Sequence, residues 1–318
     1  MSGLELIQAA SALPEKVVTN DDLSKLVDTS DEWIKSRTGI RERRFCENGE
    51  DTDTLAIKAA KLVLKKSGIT PDKLSLVIVA TCTPSFAMPS TACKVAEALQ
   101  VPSGVPAFDV NAACSGFLYA LKAAEGIMEE TPDNYALIIG AEHFSKLLDM
   151  TDRSTCVLFG DGAGACLFKK SEKGYCHIAS EGNSRVLTTE GGYVHMDGHA
   201  IFRFAVKKIG EELALIKEKT GIFPCDADYI VCHQANEKIL DFAAKEQGIS
   251  TGKFFKDLDK YGNTSAASIP IALADMEEKG LIKSGMKLIL TGFGAGLTWG
   301  SALITVGDTD SDKKKEIL

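Results

Sequence analysis

Four stretches of this sequence hold residues whose chemistry goes beyond filling a core. The first is VNAACSGFLYAL (110–121), where a strand-like run meets an apolar helical one that carries no charge until Lys122. Cys114 sits at that junction. A thiol at a helix N-terminus feels unpaired amide groups and the positive end of the dipole, which lowers its pKa. The small residues around it leave room for an acyl group. A free cysteine is also a small hydrophobe that buries well, and the chain has nine. Position alone therefore leaves nucleophile and core filler both open. His233, in VCHQAN, stands at the end of a strand-like run, on the edge where α/β sheets bind ligands; a hydrogen-bonded structural histidine fits the same place. Asn263, in YGNTSAAS, precedes a run continuing as IPIALADMEE and reads first as a helix start, where Asn and Thr cap well. Finally, GFGAGLTWG (292–300) carries four glycines. Such a turn either packs against another backbone or presents N–H groups to an anion. No Gly-Lys-Ser/Thr follows it and no dinucleotide-type helix, which argues against a phosphate loop.

The elements that must position these residues alternate. LSLVIVAT (74–81), YALIIGAE (135–142), YIVCH (229–233) and MKLILTGF (286–293) read as buried strands. TLAIKAAKLVLKKSG reads as a helix with Leu55, Ala59 and Leu62 on one face and Lys58, Lys61 and Lys65 on another. Val206, Ile209, Leu213 and Ile216 recur at helical spacing. Alternation of this kind predicts βαβ units and a sheet of substantial parallel character. The chain also repeats. KKSGITPDKLSLVIVATCT matches KEKTGIFPCDADYIVCHQAN without a gap at an offset of about 153 residues, and VLFGDGAGACLF echoes LTGFGAGLTWGSALI in the same order. Two similar α/β halves follow, with the junction between them as the place for a site.

Composition bounds the alternatives. The 318 residues are 45% hydrophobic and 25% charged, the profile of a soluble globular protein with a sizeable core. A net charge of −8 argues against nucleic acid as the main partner. No apolar run is long enough to predict a membrane span, and MSGLELIQAASALPEK lacks the features of a secretory leader. A cytoplasmic protein with reduced thiols is expected, the odd number of cysteines fitting that state. Cys82, Cys93, Cys156, Cys166 and Cys232 lie in apolar runs and read as core. There is no C-x-x-C pair and the five histidines are scattered, so no metal site is expected. The tail GDTDSDKKKEIL reads as a charged, frayed end.

In order and context, these motifs closely resemble β-ketoacyl-acyl-carrier-protein synthase III, a condensing-enzyme family of the thiolase-like superfamily. The resemblance runs nearly end to end: TSDEWIKSRTGIRERR (29–44), PSTAC (89–93), DVNAACSGF (109–117), TDR (151–153), FGDGAGA (159–165), HQAN (233–236), GNTSAAS (262–268) and FGAGLTWGSAL (293–303). It implies an α/β, thiolase-like fold of two duplicated α/β halves in a layered αβαβα arrangement. The first half, 1–170, would carry the cysteine; the second, 171–318, would carry the histidine and asparagine. It implies the initiating step of type II fatty-acid synthesis, a decarboxylative Claisen condensation of a short acyl-CoA with malonyl-acyl-carrier protein through an acyl-cysteine. Cys114 would be the nucleophile. His233, neutral, and Asn263 would donate hydrogen bonds to the thioester oxygen during decarboxylation, and the backbone N–H groups of Cys114 and Ala295 would hold the acyl-transfer oxyanion. The family usually has Gly where this chain has Ala295, so the backbone donor there requires a negative φ.

By the same resemblance, Trp33 stacks on the CoA adenine, with Arg37 and Arg153 on the nucleotide. The carrier protein is acidic, so Lys238, Lys207, Lys208 and Lys256, with Lys260, are the expected docking residues. Lys238 stands where the family often has Arg, which keeps the charge but loses the bidentate fork. The protein is expected to be a homodimer, with Met88 in SFAMPSTAC gating the partner's acyl pocket where relatives often place Phe. No cofactor is implied. A degradative thiolase would place a second cysteine in the glycine-dense turn, and there is none. A papain-like hydrolase would not show the repeat, and a non-catalytic thiolase-like partner would lack the nucleophile. A starter-unit condensing enzyme of a secondary-metabolite pathway, with the same three residues, remains the alternative.

Overall fold

The computed structural model describes residues 3–128 and 134–308, and the charged tail from residue 309 lies outside them. The elements of the first part are β1 (Gly3–Ala12), β2 (Lys16–Thr19), α1 (Asn20–Leu23), α2 (Asp31–Thr38), β3 (Glu42–Phe45), α3 (Thr52–Ser67), β4 (Leu74–Ala80), α4 (Thr91–Leu99), β5 (Ala107–Val110), α5 (Gly116–Ile127), β6 (Tyr135–Glu142) and β7 (Gly162–Ser171). There follow β8 (Tyr175–Asn183), β9 (Leu187–Thr188), β10 (His195–Met196), α6 (Gly198–Thr220), β11 (Tyr229–Cys232), α7 (Glu237–Glu246), α8 (Leu258–Tyr261), α9 (Ser268–Glu278), β12 (Lys287–Gly294) and β13 (Gly296–Val306).

The expected strands form within a residue or two of their sequence positions. In the helix expected from Thr54, the buried stripe runs through Leu55, Ala56, Ala59, Ala60 and Val63, while Leu62 is exposed. At about 100° per residue Leu62 lies roughly 20° from Leu55 on the side away from Ala59 and Val63, so it falls just outside the edge of the stripe. Asp51 caps this helix with a capping box, and Gly68 ends it at φ 72°. Long α6 is built the same way, from Asp197 at its start to Gly221 in the left-handed region at its end.

The main sheet orders its strands β11-β12-β13-β1-β7-β6-β4-β5, with β8 also paired to β13. Its pairings repeat. From β5 the run β5-β4-β6-β7-β1 is parallel, parallel, antiparallel, antiparallel. On the other side, Phe254 bridges in parallel to Ile230 of β11, β11 runs parallel to β12, and β12-β13 and β13-β8 are antiparallel. The duplication read from the sequence is thus a duplication of topology, and β1 and β13 join the two runs through Glu5↔Thr305 and Leu6↔Val306.

Three buried clusters place the layers. One packs α3 and α4 on the outside of the first run, with Leu55, Ala59, Val63 and Val95 against Val77, Leu137 and Leu167. A second packs α6 and α7 on the outside of the second run, with Ile209, Leu213 and Leu240 against Ile230 and Ile289. Between the runs lie α5 and α9, whose Phe117, Leu118, Leu121, Ile269 and Leu273 meet Leu76, Ile78, Val231, Leu288 and Leu290. The order is therefore helix, sheet, helix, sheet, helix. Since α5 and α9 have sheet on both sides, they are apolar nearly all round.

These two central helices start alike. Each follows a single turn of 3₁₀ helix, Ala113–Ser115 before α5 and Ser265–Ala267 before α9. Each turn opens with a left-handed non-glycine residue, Ala113 at φ 46° and Ser265 at φ 51°. That conformation is uncommon for side-chain-bearing residues and persists where surrounding packing imposes it. The spacing of the two turns matches the sequence repeat to within one residue. Each turn also packs on a strand of the opposite half. A Cβ at Gly294 would lie 2.7 Å from the Cys114 nitrogen, and one at Gly140 of β6 would run into the carbonyl oxygen of Ala266. Overpacking of this kind costs on the order of 1–3 kcal/mol, so both positions need glycine for the turns to seat.

Candidate active site

The crossed turns bring residues from both halves to one cavity of about 210 Å³. Cys114, His233, Asn263, Phe293 and Gly294 line it, with Phe159, Leu187, Met196, Ile201 and Phe202 forming apolar walls. Cys114 and Asn263 are each 6% exposed and His233 1%. Strand β11 delivers His233, whose N–H bonds the carbonyl of Thr291 on β12 at 2.8 Å. The ring lies edge-on to Phe293, with centroids 5.3 Å apart. Gln234 anchors the loop that follows, donating to the carbonyls of Cys232 at 2.8 Å and Phe255 at 3.1 Å.

Burial sets the protonation states. It pulls His233 down to about 3, so the imidazole is neutral at physiological pH. Nδ1 lies 2.7 Å from the Ser268 hydroxyl oxygen, which itself accepts the Gln234 N–H at 3.4 Å. A serine proton donated to Nδ1 would place the imidazole proton on Nε2 and make His233 a neutral donor. No signal in the sequence singled out Ser268, although it closes the GNTSAAS motif.

Cys114 departs from the expected lowered pKa. Burial dominates and pushes the thiol up to about 12; a hydrogen bond with Ser265 opposes this, and Glu142 adds to it. The helix start is present, but it is desolvated, and removing water from a thiolate outweighs the dipole. Cys114 and His233 are thus both neutral at rest. Peptide-resolved alkylation of Cys114 by iodoacetamide should accordingly accelerate about tenfold per pH unit from pH 6 to 9, because only the thiolate reacts. A plateau near neutrality would reveal a thiolate–imidazolium pair instead.

Asn263 is oriented by a chain of buried groups. Its Oδ1 accepts the Ser265 N–H at 2.9 Å, which leaves Nδ2 as the group that can donate. Its backbone bonds Leu158 and Gly160 at 2.8 and 3.0 Å. The Ser265 hydroxyl donates to Glu142 at 3.0 Å. Fully buried Glu142 also accepts from Thr81 at 3.2 Å, from the Cys82 N–H at 3.2 Å and from the Thr83 hydroxyl. Sequence reading passed over Glu142 and Ser265. The signal available was an acidic residue ending the otherwise apolar strand YALIIGAE. Cys82, read as core, bonds Glu142 at 3.3 Å and lies 3.8 Å from the Ser265 hydroxyl. Cys93, also read as core, is exposed, because it falls on the outer face of α4. All nine cysteines are free.

At Ala295 φ is not positive, which meets the condition for a backbone donor. The glycine-dense turn is tied to the Cys114 turn through Thr298. Its hydroxyl lies within hydrogen-bond reach of the Ala112 and Ala295 carbonyls at 3.0 and 2.9 Å, and the Ser115 hydroxyl lies 2.7 Å from it.

The guanidinium groups of Arg37 and Arg153 lie 5.8 and 5.0 Å from the Trp33 ring centroid. This cluster borders the cavity: the Arg37 carbonyl accepts from Asn236, a lining residue, at 3.1 Å, and Arg153 precedes lining residue Ser154. The lysines differ among themselves. Lys207 and Lys238 are exposed. Lys208 pairs with Glu211 at 2.8 Å and its ammonium sits 3.9 Å over the Trp299 ring. Lys256 is held between Glu237 and Asp241, so its charge is already met. Met88 is 82% exposed and does not line the cavity of its own chain. Among the described residues, no helix is long and apolar enough to cross a membrane.

Two family models match the chain, 3-oxoacyl-[acyl-carrier-protein (ACP)] synthase III over residues 108–184 and its C-terminal counterpart over residues 218–306. The beta-ketoacyl-[acyl-carrier-protein] synthase III of Clostridium acetobutylicum is 44% identical, the match covering 96% of this chain and 99% of that protein. The crystal structure of 3-oxoacyl-[acyl-carrier-protein] synthase III from Aquifex aeolicus VF5 superposes with a TM-score of 0.90 at 43% identity, covering 95% of this chain and 99% of that one. The priming beta-ketosynthase from the R1128 polyketide biosynthetic pathway gives a TM-score of 0.90 at 29% identity, covering 96% and 97%.

Proposed function

This chain belongs to the 3-oxoacyl-[acyl-carrier-protein] synthase III family, and from that premise we propose that it joins a short acyl-CoA to malonyl-acyl-carrier protein to open type II fatty-acid synthesis. The observation that carries the reading is the convergence of Cys114, His233 and Asn263, from separate elements of both halves, on one desolvated cavity. Cys114 attacks the thioester of acyl-CoA; the C–S bond to coenzyme A breaks, and the thiol proton leaves with coenzyme A, so acylation is proton-neutral overall. The N–H groups of Cys114 and Ala295 hold the oxyanion of this step. Malonyl-carrier protein then loses CO₂. The negative charge passes to its thioester oxygen, where His233 Nε2–H and Asn263 Nδ2–H stabilise it. The enolate carbon attacks the acyl-cysteine, the acyl–sulfur bond breaks, and the Cys114 thiolate takes up one proton from solvent, the proton that the condensation consumes overall. A preorganised donor at a developing oxyanion is worth roughly 2.7–4 kcal/mol.

Trp33, Arg37 and Arg153 serve the CoA nucleotide in this reading. Exposed Lys207 and Lys238, with Lys208 and Lys260, meet the acidic carrier, and Lys256 contributes least because its charge is neutralised in place. Trp33→Ala should raise KM for acyl-CoA with kcat nearly unchanged, whereas Lys238→Glu should raise KM for malonyl-carrier protein alone. Loss of kcat in both variants would instead assign these residues to the scaffold.

The protein works as a homodimer in which Met88 reaches the partner's acyl pocket; its exposure in one chain, where it does not line that chain's own cavity, supports this. An unbranched Met yields where a ring would not. Wild-type protein should therefore accept four- and five-carbon primers beside acetyl-CoA in an intact-mass panel, and Met88→Phe should lower kcat/KM selectively for the longer ones. An unchanged preference order would remove Met88 from specificity. The likeness to a priming ketosynthase of a polyketide pathway supports a second reading, a starter-unit enzyme. Aryl or long acyl donors outperforming acetyl-CoA in the same panel would favour it.

A further inference from the structure

We propose that Cys46, His143 and Asp161 form a site for one divalent transition-metal cation of the zinc class, separate from the condensing cavity. The residues are far apart in sequence, which is why no metal site was expected. The fold gathers them: Cys46 follows β3, His143 follows β6, and Asp161 immediately precedes β7. Their ligand atoms all lie within 4.8 Å of one another. A tetrahedral zinc site spaces such atoms about 3.3–3.8 Å apart, so binding draws the widest pair together by up to about 1–1.5 Å. Thiolate, imidazole and carboxylate together are a donor set suited to zinc, and three protein ligands leave a fourth position for water.

The surroundings are those of a ligated site. His143 Nδ1 lies 3.0 Å from Asp51 Oδ1, which leaves Nε2 to coordinate and reproduces the carboxylate–histidine support of metal-bound imidazoles. Asp161 is fully buried. Its Oδ2 accepts the Cys46 N–H at 2.8 Å and the Ser145 hydroxyl at 2.6 Å, and its Oδ1 accepts the Ser145 N–H at 2.7 Å, leaving one lone pair on Oδ1. A Cys46 thiolate and the Asp161 carboxylate neutralise a dication. Lys146, 3.7 Å from Asp51, is the cation on the outer side. A bound ion would tie the segment after β3, which leads into the Asp51 cap of α3, to the end of β6. Binding displaces the thiol proton and forms the sulfur–metal bond, with no change in oxidation state.

The test uses Co²⁺ as the probe in the Cys114→Ala protein, where the condensing cavity has lost its thiol. One equivalent should give tetrahedral d–d bands and a near-ultraviolet thiolate-to-cobalt band, both removed by one equivalent of Zn²⁺. Cys46→Ser should abolish the thiolate band, and His143→Gln should weaken binding at least tenfold. Cys93→Ser, an exposed cysteine elsewhere, should change neither. Each variant's melting without metal should match its parent; if Cys46→Ser fails to fold, His143→Gln with the same readout decides. Absence of a thiolate band at one equivalent, or its persistence in Cys46→Ser or at full affinity in His143→Gln, overturns the site.

Discussion

Cys114→Ala is expected to abolish transfer of an acetyl mass from acetyl-CoA and to collapse condensation. The scale is that of removing a covalent nucleophile, about 10⁶-fold. The expectation rests on geometry. Cys114 is the thiol that lines the cavity, and its turn is seated by Gly294 against the end of β12. Competing thiols are placed differently. Cys46, Cys156, Cys166, Cys176 and Cys232 do not line the cavity, and Cys82 is bonded to Glu142. Cys93 and Cys225 are exposed and can react with alkylating agents, but neither lines the cavity. Peptide mapping after acetyl-CoA should therefore find the label on Cys114 alone. A label that moves to Cys82 in Cys114→Ala would mean that the Glu142–Ser265 network, rather than the Cys114 turn, supports the nucleophile.

Asn263→Ala should separate the two half-reactions. Malonyl-thioester decarboxylation should fall by about 10²–10³-fold, the effect of losing one oxyanion donor, while single-turnover acylation of Cys114 remains measurable. His233→Ala should behave the same way. In the proposed mechanism acylation relies on backbone N–H groups, whereas the enolate relies on these two side chains. Equal losses in both half-reactions would end that division of labour. The pH dependence follows from His233. With its value near 3, it stays neutral well below pH 6.5, so decarboxylation on preacylated enzyme should not decline between pH 7.5 and 5.5 through this residue. Stability behaves otherwise. An unfolded histidine protonates near 6.5, and the folded one does not until about 3. The buried neutral ring therefore favours folding fully above pH 6.5, and that contribution falls as pH drops through the window from 6.5 to 3.

Much of the architecture was legible locally. β4 and β6 are buried on both faces, so they read as unbroken apolar runs, and the helix ends are marked by Gly68 and Gly221, which supply the left-handed residue that stops a helix. The duplication was legible because both halves solve the same packing problem with the same junction. Leu62 differs because helical periodicity does not fix where the edge of the covered stripe falls, and Leu62 lies about 20° beyond Leu55 at that edge. Cys93 differs because an apolar neighbourhood in sequence does not say which face of a helix is covered.

The sequence by itself determined the candidates: a cysteine before an apolar helix, a histidine after a strand, an asparagine before a second apolar helix, and the repeat relating the two halves. Tertiary structure decided what these become. Burial depends on neighbours hundreds of residues away, and desolvation proved larger than the local helix-start effect, so Cys114 is a protonated thiol rather than the thiolate its position suggested. The same holds for Ser268 on His233 and for Glu142 behind Ser265 and Asn263. These polar contacts form across the crossed turns of two halves, and a hydrogen bond between residues distant in the chain leaves no periodicity to read. The gathering of Cys46, His143 and Asp161 has the same origin: strand ends distant in the chain lie side by side because the sheet pairs β6 with β7 and brings the segment after β3 onto their edge.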